Sequence, residues 1–230
     1  MIGTIVNSAA IVAGSIAGFL IKGGLPKRYN DTVANAIGLV VIVVGLMGAI
    51  KTNDILLVAI SLAVGSFIGE FFRIEDRLKG IGNFLEKRFS KGGDGGFSKG
   101  FFTASLLFCV GAMAVVGSLE SGLTGNHHTL FTKSVLDGTF SILLTSAFGI
   151  GVIFSSVSVF LYQGLITLGA SMIKDFLTPQ VINEMSAVGG ILIMAIGFNT
   201  LEIKKIMVGN MLPAIFLPLI YFIIRQFLGI

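Results

Sequence analysis

The sequence predicts an all-α fold, a polytopic membrane bundle of about eight transmembrane helices. Of the 230 residues, 54% are hydrophobic and only 12% are charged, whereas soluble domains carry roughly 25% charged residues. The mean hydropathy is +0.94, and the apolar residues form runs long enough to span a bilayer. This composition rules out a disordered chain and argues against a soluble enzyme, which could not bury so much apolar surface in one core.

A spanning helix needs about 20 mostly apolar residues, and this criterion locates the elements. The predicted helices are Thr4–Lys22, Val33–Lys51, Asp54–Arg73, Phe101–Leu119, Ser134–Phe154, Ser156–Lys174, Met185–Ile203 and Ile206–Gly229. We expect the first to be retained, because a cleavable signal peptide carries Lys or Arg before its apolar core. The fifth and sixth divide one long apolar stretch at Ser155-Ser156. A seven-span alternative merges these two or makes one of them re-entrant.

Basic residues predict the orientation of the chain. In an eight-span arrangement, twelve of the sixteen Lys and Arg residues fall on one side of the membrane, and the other side holds Lys51, Lys133, Lys174 and Arg225. Because Lys and Arg accumulate in cytoplasmic loops, we expect both termini outside and residues 74–100 inside. The same bias explains the net charge of +4. No nucleic-acid-binding motif accompanies that charge, so no nucleic-acid partner is expected.

The chain is predicted to have four parts, namely a first three-helix repeat (1–73), a cytoplasmic loop (74–100), two linking helices (101–155) and a second, inverted three-helix repeat (156–230). Within the loop, apolar residues recur at helical spacing over 74–89, and basic residues continue to Lys91. This pattern predicts an amphipathic helix that contacts anionic lipid head groups, or an extension of the third helix that packs on its own protein. A Gly-rich linker follows over residues 92–96.

The two three-helix units resemble each other in layout. A shift of 152 residues aligns Gly38 with Gly190 and Gly45 with Gly197 without a gap. Their first helices are an odd number of spans apart, so the units would cross the membrane in opposite directions. Inverted repeats are characteristic of transporters, whose binding site lies where the repeats meet. The alternative is that any two triplets of apolar helices look alike at this level.

Two acidic residues are predicted to gather cations at the outer interface. Glu120 ends the predicted fourth helix and Asp137 begins the fifth. Acids at a low-dielectric pore mouth concentrate cations. The alternative is two solvated loop-end acids, with Asp137 in the first turn of its helix, where the helix dipole favours a negative charge.

Three amides are predicted to line an ion pathway in the membrane: Gln163, Asn199 and Asn210. Lipid offers an amide no hydrogen-bond partner, so interhelical hydrogen bonding is the alternative role for Gln163 and Asn199. Pro213 and Pro218 each remove a helical hydrogen bond, which is expected to free the carbonyls of Gly209 and Ala214. A broken helix of this kind can ligate a cation, or it can be a simple kink.

Other chemistry has little support in the sequence. Cys109 is the only cysteine, which excludes an intramolecular disulfide and a CxxC metal site. Catalytic and nucleotide-binding motifs are absent, so we expect no enzyme activity, no cofactor and no metal centre. Glycine pairs such as Gly14 and Gly18 predict close helix packing, some of which could serve a homo-oligomer.

Five stretches of the sequence look familiar: Gly3–Asn7, Phe108–Ser118, Ser121–Gly125, Lys133–Gly138 and Leu161–Gly164. They resemble the YdfK/YqgA-like family of bacterial integral membrane proteins of unknown function, and the resemblance covers nearly the whole chain. It implies a location in the bacterial cytoplasmic membrane and, as a suggested activity of the family, a sodium channel or pump. It assigns a role to no residue, so the site residues above rest on depth and chemistry.

The favoured functional hypothesis is a small channel or secondary transporter for a monovalent cation such as sodium. The first alternative is a non-transporting scaffold or regulatory partner that acts through the basic residues 74–100. The second is a transporter of a small organic solute or lipid, with which glycine-rich packing and few charges are compatible. The acids predicted at the outer interface favour a cation.

Overall fold

The computed structural model describes residues 1–22, 27–78, 80 and 96–228, and over these residues it is helical without a strand. This confirms the predicted fold class. The α-helices are α1 (Ile2–Lys22), α2 (Lys27–Ala49), α3 (Ile55–Phe71), α4 (Gly96–Cys109), α5 (Ala112–Leu123), α6 (His128–Phe148), α7 (Ser155–Ile173), α8 (Pro179–Thr200), α9 (Val208–Met211) and α10 (Leu217–Leu228), with 3-10 segments at Ile150–Phe154 and Leu212–Phe216. Residues 74–78 are also helical. Most of the remaining predicted amphipathic helix, and the Gly-rich linker up to residue 95, lie outside the described residues.

The helices expose an apolar surface suited to lipid. Large hydrophobic side chains point outward along them, among them Phe67 at 76%, Phe71 at 76% and Met172 at 79% exposure. Five of the described helical stretches are long and apolar enough to cross a membrane, and a sixth results if the bent pair α4 and α5 counts as one span. α3 has only 17 residues, and α6 carries Lys133 and Asp137 in its interior. The predicted count of eight spans stays a prediction.

Glycines allow the helices to approach closely, and their contacts give the helix directions. Gly3 lies against Leu130 and Gly18 lies against Ile142, so α1 and α6 run parallel. α8 is buried along most of its length and forms the centre of the bundle. Small residues at such crossings are typical of membrane helices, because packing replaces the hydrophobic effect as the driving force in lipid.

α2 and α8 pack antiparallel through reciprocal glycine contacts. Gly45 lies against Gly190, and Gly197 lies against Gly38. The shift that aligns the two predicted units pairs Gly38 with Gly190 and Gly45 with Gly197. Gly45 therefore contacts the residue that the shift aligns with Gly38, and Gly38 contacts the residue that the shift aligns with Gly45. A two-fold axis between two units produces this reciprocal pattern. The inverted repeat itself stays a prediction.

The predicted fourth helix, Phe101–Leu119, is wrong as a single helix. The chain forms α4 and α5 instead, which are bent by 58° relative to each other. Gly111 lies at the break with a φ of 130°, a conformation that glycine adopts readily because it has no Cβ. α4 also begins earlier than predicted, at Gly96.

The last predicted helix changes type between its two prolines. A 3-10 segment that contains Pro213 separates α9 from α10, and Pro218 lies in the first turn of α10. The expectation that the prolines free the carbonyls of Gly209 and Ala214 is wrong. Each of these carbonyls accepts a hydrogen bond from the backbone N–H three residues later, because the tighter 3-10 turn offers this partner in place of the missing one.

The predicted fifth helix begins earlier than expected. α6 starts at His128 rather than Ser134, so Asp137 lies about 14 Å along the helix at 1.5 Å per residue. The expectation that Asp137 occupies the first turn of its helix is therefore wrong, and its position at the outer interface stays a prediction. Residues 128–133 are largely polar and fall outside the apolar run, which is why the length criterion missed this part of the helix.

Candidate functional site

Lys133 and Asp137 form a buried ion pair on α6. The Lys133 Nζ atom lies 2.7 Å from Asp137 Oδ1 and 2.5 Å from Oδ2, and the residues are 6% and 5% exposed. The pairing arises locally, because residues four apart share one face of a helix. Removing charges from water costs several kcal/mol per ion, and ionisable residues within membrane helices mark functional sites by default.

Two buried amides from other helices complete the polar cluster around this pair. Asn7 on α1 donates through Nδ2 to Asp137 Oδ2 at 2.9 Å and to Gln163 Oε1 on α7 at 3.3 Å. Both amides are 0% exposed. Asn7 Oδ1 and Gln163 Nε2 have no hydrogen-bond partner within the part of the chain that the structure describes, and neither does the Thr4 hydroxyl one turn earlier on α1. The polar cluster of Asn7, Lys133, Asp137 and Gln163 therefore retains unused hydrogen-bonding capacity.

A cavity of about 250 Å³ opens beside the ion pair. Lys133 and Asp137 form part of its wall, and Val110 and Gly111 at the helix break form another part. Lys51, in the turn that follows α2, also lines it. Since one water occupies about 30 Å³ in the liquid, the cavity has room for a small ion with several waters.

The oxygen atoms of the polar cluster suit a small hard cation. The Asp137 carboxylate and the side-chain oxygens of Asn7 and Gln163 come from three different helices. Carboxylate and amide oxygens are the ligands that hard cations prefer. The structure thus brings together two of the predicted site residues, Asp137 and Gln163, with two that the sequence analysis did not select.

Glu120 and Asn199 lie away from this cluster. Glu120 accepts a hydrogen bond from the Thr129 hydroxyl at 2.6 Å. Asn199 bridges the connection from α8 to α9, because its Nδ2 donates to Ile206 O at 2.8 Å and its Oδ1 accepts from Ile206 N at 2.7 Å. These hydrogen bonds stabilise the local structure around both residues. The role of Glu120 and Asn199 in an ion pathway stays a prediction.

Asn210 joins α9 to the end of α3. Its Nδ2 donates to Glu70 Oε2 at 2.6 Å, and its Oδ1 accepts from the backbone N–H of Glu75 at 2.7 Å. Pro213 follows it within the 3-10 segment, and Pro218 follows in the first turn of α10. The pathway role predicted for these three residues also stays a prediction.

Comparison with known proteins gives the family. The family model described as "Protein of unknown function (DUF554)" matches residues 2–223. The chain belongs to the DUF554 family. It is 35% identical over 232 residues to the "Uncharacterized membrane protein YdfK" of Bacillus subtilis (strain 168), covering 99% of this chain and 98% of the relative. It is 27% identical over 226 residues to the "Uncharacterized protein YqgA" of Escherichia coli (strain K12), covering 95% of each. No solved structure matches the chain.

Membership of the DUF554 family confirms the resemblance read from the sequence. The name of the Bacillus relative and the lipid-facing helices agree that this is a membrane protein. Neither relative's printed name states an activity. For this member of the DUF554 family, function has to be argued from the polar cluster.

Sequence reasoning missed Asn7 and Lys133 as site residues. The spacing of four between Lys133 and Asp137 was a usable signal, because it predicts an ion pair once both lie inside one helix. A second buried carboxylate, Glu184, was also missed, since the predicted seventh helix began one residue later. Glu184 accepts hydrogen bonds from the Thr52 hydroxyl at 2.5 Å and from Asn53 N at 2.9 Å, and so fastens α8 to the connection between α2 and α3.

Proposed function

We propose that this protein is a small secondary transporter or channel for a monovalent cation such as sodium in the bacterial cytoplasmic membrane. Asp137 is the charged ligand of the ion, and Asn7 and Gln163 supply neutral oxygen ligands. The observation that carries the proposal is the buried pair of Lys133 and Asp137 with amides from two further helices around it. A charge pair of this kind is costly to keep in a membrane protein unless it is used.

The charges of the polar cluster favour a monovalent ion. Lys133 and Asp137 are its only ionisable members, and their charges cancel. A monovalent cation that displaces the Lys133 ammonium from Asp137 balances the carboxylate once that ammonium has moved out of the cluster. A divalent ion would leave a net positive charge in a low-dielectric site, and such ions are usually held by more than one carboxylate.

The break at Gly111 supports access to the site. Val110 and Gly111 line the cavity beside the ion pair, and irregular backbone at membrane depth is tolerated where it lines a cavity. Discontinuous helices are also the usual frame of ion sites in transporters. The reorientation of α5 against α4 at this break would change which side of the membrane the cavity faces.

The packing of α2 against α8 supports a transporter architecture. The reciprocal contacts of Gly38, Gly45, Gly190 and Gly197 are those expected if residues 1–73 and 156–230 form an inverted repeat. α1 and α7, which supply Asn7 and Gln163, are equivalent helices in that arrangement. The ion site would then lie where the repeats meet, as it does in inverted-repeat transporters.

Flux through purified protein in liposomes tests the proposal. We expect uptake of radioactive sodium above the rate of empty vesicles, and a decrease of at least about tenfold, or 1.4 kcal/mol, in Asp137→Asn. Asp31→Asn is the matched control, because Asp31 is an exposed acid on α2. It should transport at the rate of the unmodified protein.

Two results would contradict the proposal. One is that no monovalent cation moves faster than in empty vesicles. The other is equal transport by Asp137→Asn and Asp31→Asn. Should Asp137→Asn fail to fold, Asn7→Leu gives a second test, because it keeps the ion pair and removes one amide ligand. It is also expected to slow sodium uptake.

A further inference from the structure

Three adjoining cavities lie between α5, α7, α8 and the last helices. The outermost is about 320 Å³, the middle one about 180 Å³ and the innermost about 190 Å³. Phe176 and Ile223 line both the outermost and the middle cavity. Val115, Tyr162 and Met185 line both the middle and the innermost. We call this series of cavities the α7–α10 groove.

The α7–α10 groove changes from polar to apolar along its length. Its mouth is lined by Asp175, Thr178, Gln180, Arg225 and Gln226 as well as by apolar side chains. The middle cavity has apolar walls, with Tyr162 as the single residue that carries a polar group. In the innermost cavity, Tyr162, Cys109 and Ser186 carry polar groups in an otherwise apolar lining. A ligand for this groove therefore has a polar head and a hydrocarbon tail.

The charged residues at the mouth indicate which class of lipid head group fits the groove. One cation, Arg225, and one anion, Asp175, line it, with a hydroxyl and two amides beside them. Guanidinium groups bind phosphate well, through paired hydrogen bonds. A carboxylate at the same mouth would repel an anionic head group but pairs with an ammonium. The mouth is complementary to a head group that carries both a phosphate and a primary ammonium.

We propose that the α7–α10 groove binds one phospholipid with an ethanolamine head group. Its phosphate lies at Arg225 and Thr178, its ammonium lies at Asp175, and one acyl chain occupies the apolar cavities beyond Phe176. Burial of a chain is favourable by about 0.8 kcal/mol per CH₂ relative to water, although a bilayer offers the same gain. Specificity must therefore come from the head group. The innermost cavity shares Val110 and Gly111 with the cavity beside the ion pair, but the lipid proposal uses none of the four residues of the polar cluster.

Native mass spectrometry of the full chain, after exposure to equal amounts of phosphatidylethanolamine, phosphatidylglycerol and phosphatidylcholine, tests the groove. We expect one phosphatidylethanolamine retained per chain. Arg225→Gln and Asp175→Asn should each lower this retention about fivefold, whereas Arg28→Gln and Asp31→Asn, which alter exposed charges on α2, should not.

A second pair of variants tests the acyl-chain cavity. Val115→Phe fills it, and Val157→Phe places the same side chain on the exposed face of α7, where Val157 is 55% exposed. Only Val115→Phe should release the lipid, and Ile166→Phe repeats the test in the middle cavity. Equal retention of the three lipids overturns the head-group assignment. Equal retention by Val115→Phe and Val157→Phe overturns the groove.

Discussion

The buried Asp137 carboxylate is stabilised by hydrogen bonds from the Lys133 ammonium and the Asn7 amide. The ammonium of Lys133 contacts both carboxylate oxygens, and the Asn7 amide donates to one of them. A buried carboxylate without these donors would lose its hydration with nothing in return. The Lys133 ammonium occupies the position on Asp137 that the proposed cation would take, so a bound cation must displace it.

The pair gives a prediction about stability. Removing one partner leaves an uncompensated buried charge, so Asp137→Leu and Lys133→Met are each expected to cost about 3–5 kcal/mol. The double variant should regain most of this loss, because two apolar residues can replace a buried pair at little cost. Thermal unfolding in detergent measures the three variants. A double variant whose loss equals the sum of the single losses would show that the two residues do not act as a pair.

At this scale the sequence identifies the polar residues but not their partners. Gln163 was recognised because an amide in an apolar run needs a hydrogen bond, and that requirement is local. Its partner Asn7 lies 156 positions away, and no periodicity connects them. The start of α6 is predicted too late in the sequence because residues 128–133 are largely polar, and a criterion based on apolar length assigns such residues to a loop even when they continue a helix.

Helix boundaries and breaks reflect tertiary contacts as well as local preference. The eight predicted helices each correspond to helical structure in the described residues, because apolar runs of bilayer length are a strong signal. The bend at Gly111 is not predicted from the sequence. The prolines predict a break in the last helix, but not that the break takes the form of a 3-10 turn after Met211. A glycine in an apolar run permits either packing or a break, and neighbouring helices decide which occurs.

Close helix packing gives a prediction at the scale of elements. A Cβ at Gly14 would overlap the carbonyl oxygen of Gly138 on α6, whereas a Cβ at Gly169 on α7 would meet nothing within 4 Å. Gly14→Ala is therefore expected to destabilise the protein by about 1–3 kcal/mol through overpacking. Gly169→Ala should be neutral or stabilise by up to about 1 kcal/mol, because alanine favours helix. Unfolding temperatures in detergent compare the two, and equal values would contradict the parallel contact of α1 with α6.

The helix directions fit one alternating path through a membrane. α1 runs parallel to α6, and α2 runs antiparallel to α8, as the first and fifth spans and the second and seventh spans of an eight-span chain would. The burial of Lys133 also sharpens the charge bias, because this residue no longer counts as a loop cation on the sparse side. Such a path can be predicted from the sequence, because hydropathy and loop charge are read without knowing which helices contact each other.

The topology is testable by labelling with a membrane-impermeant maleimide. In chains whose Cys109 is replaced by Ser, we expect labelling of Lys51→Cys and Lys174→Cys in intact cells, because the predicted orientation places both on the outer side. Arg77→Cys and Lys204→Cys should react only after permeabilisation. All four positions are exposed, so a failure to react is not explained by burial. Reaction of all four in intact cells, or the reverse pattern, would contradict the orientation.

Equilibrium binding of radioactive sodium to the purified protein tests the role of the polar cluster most directly. We expect about one sodium ion bound per chain, as for a single carboxylate that takes a monovalent ion, with binding lost in Asp137→Asn and kept in Asp31→Asn. Lys133→Gln should bind sodium more tightly, because it removes the competing ammonium. Unchanged sodium binding in a folded Asp137→Asn protein would contradict the assignment of this site.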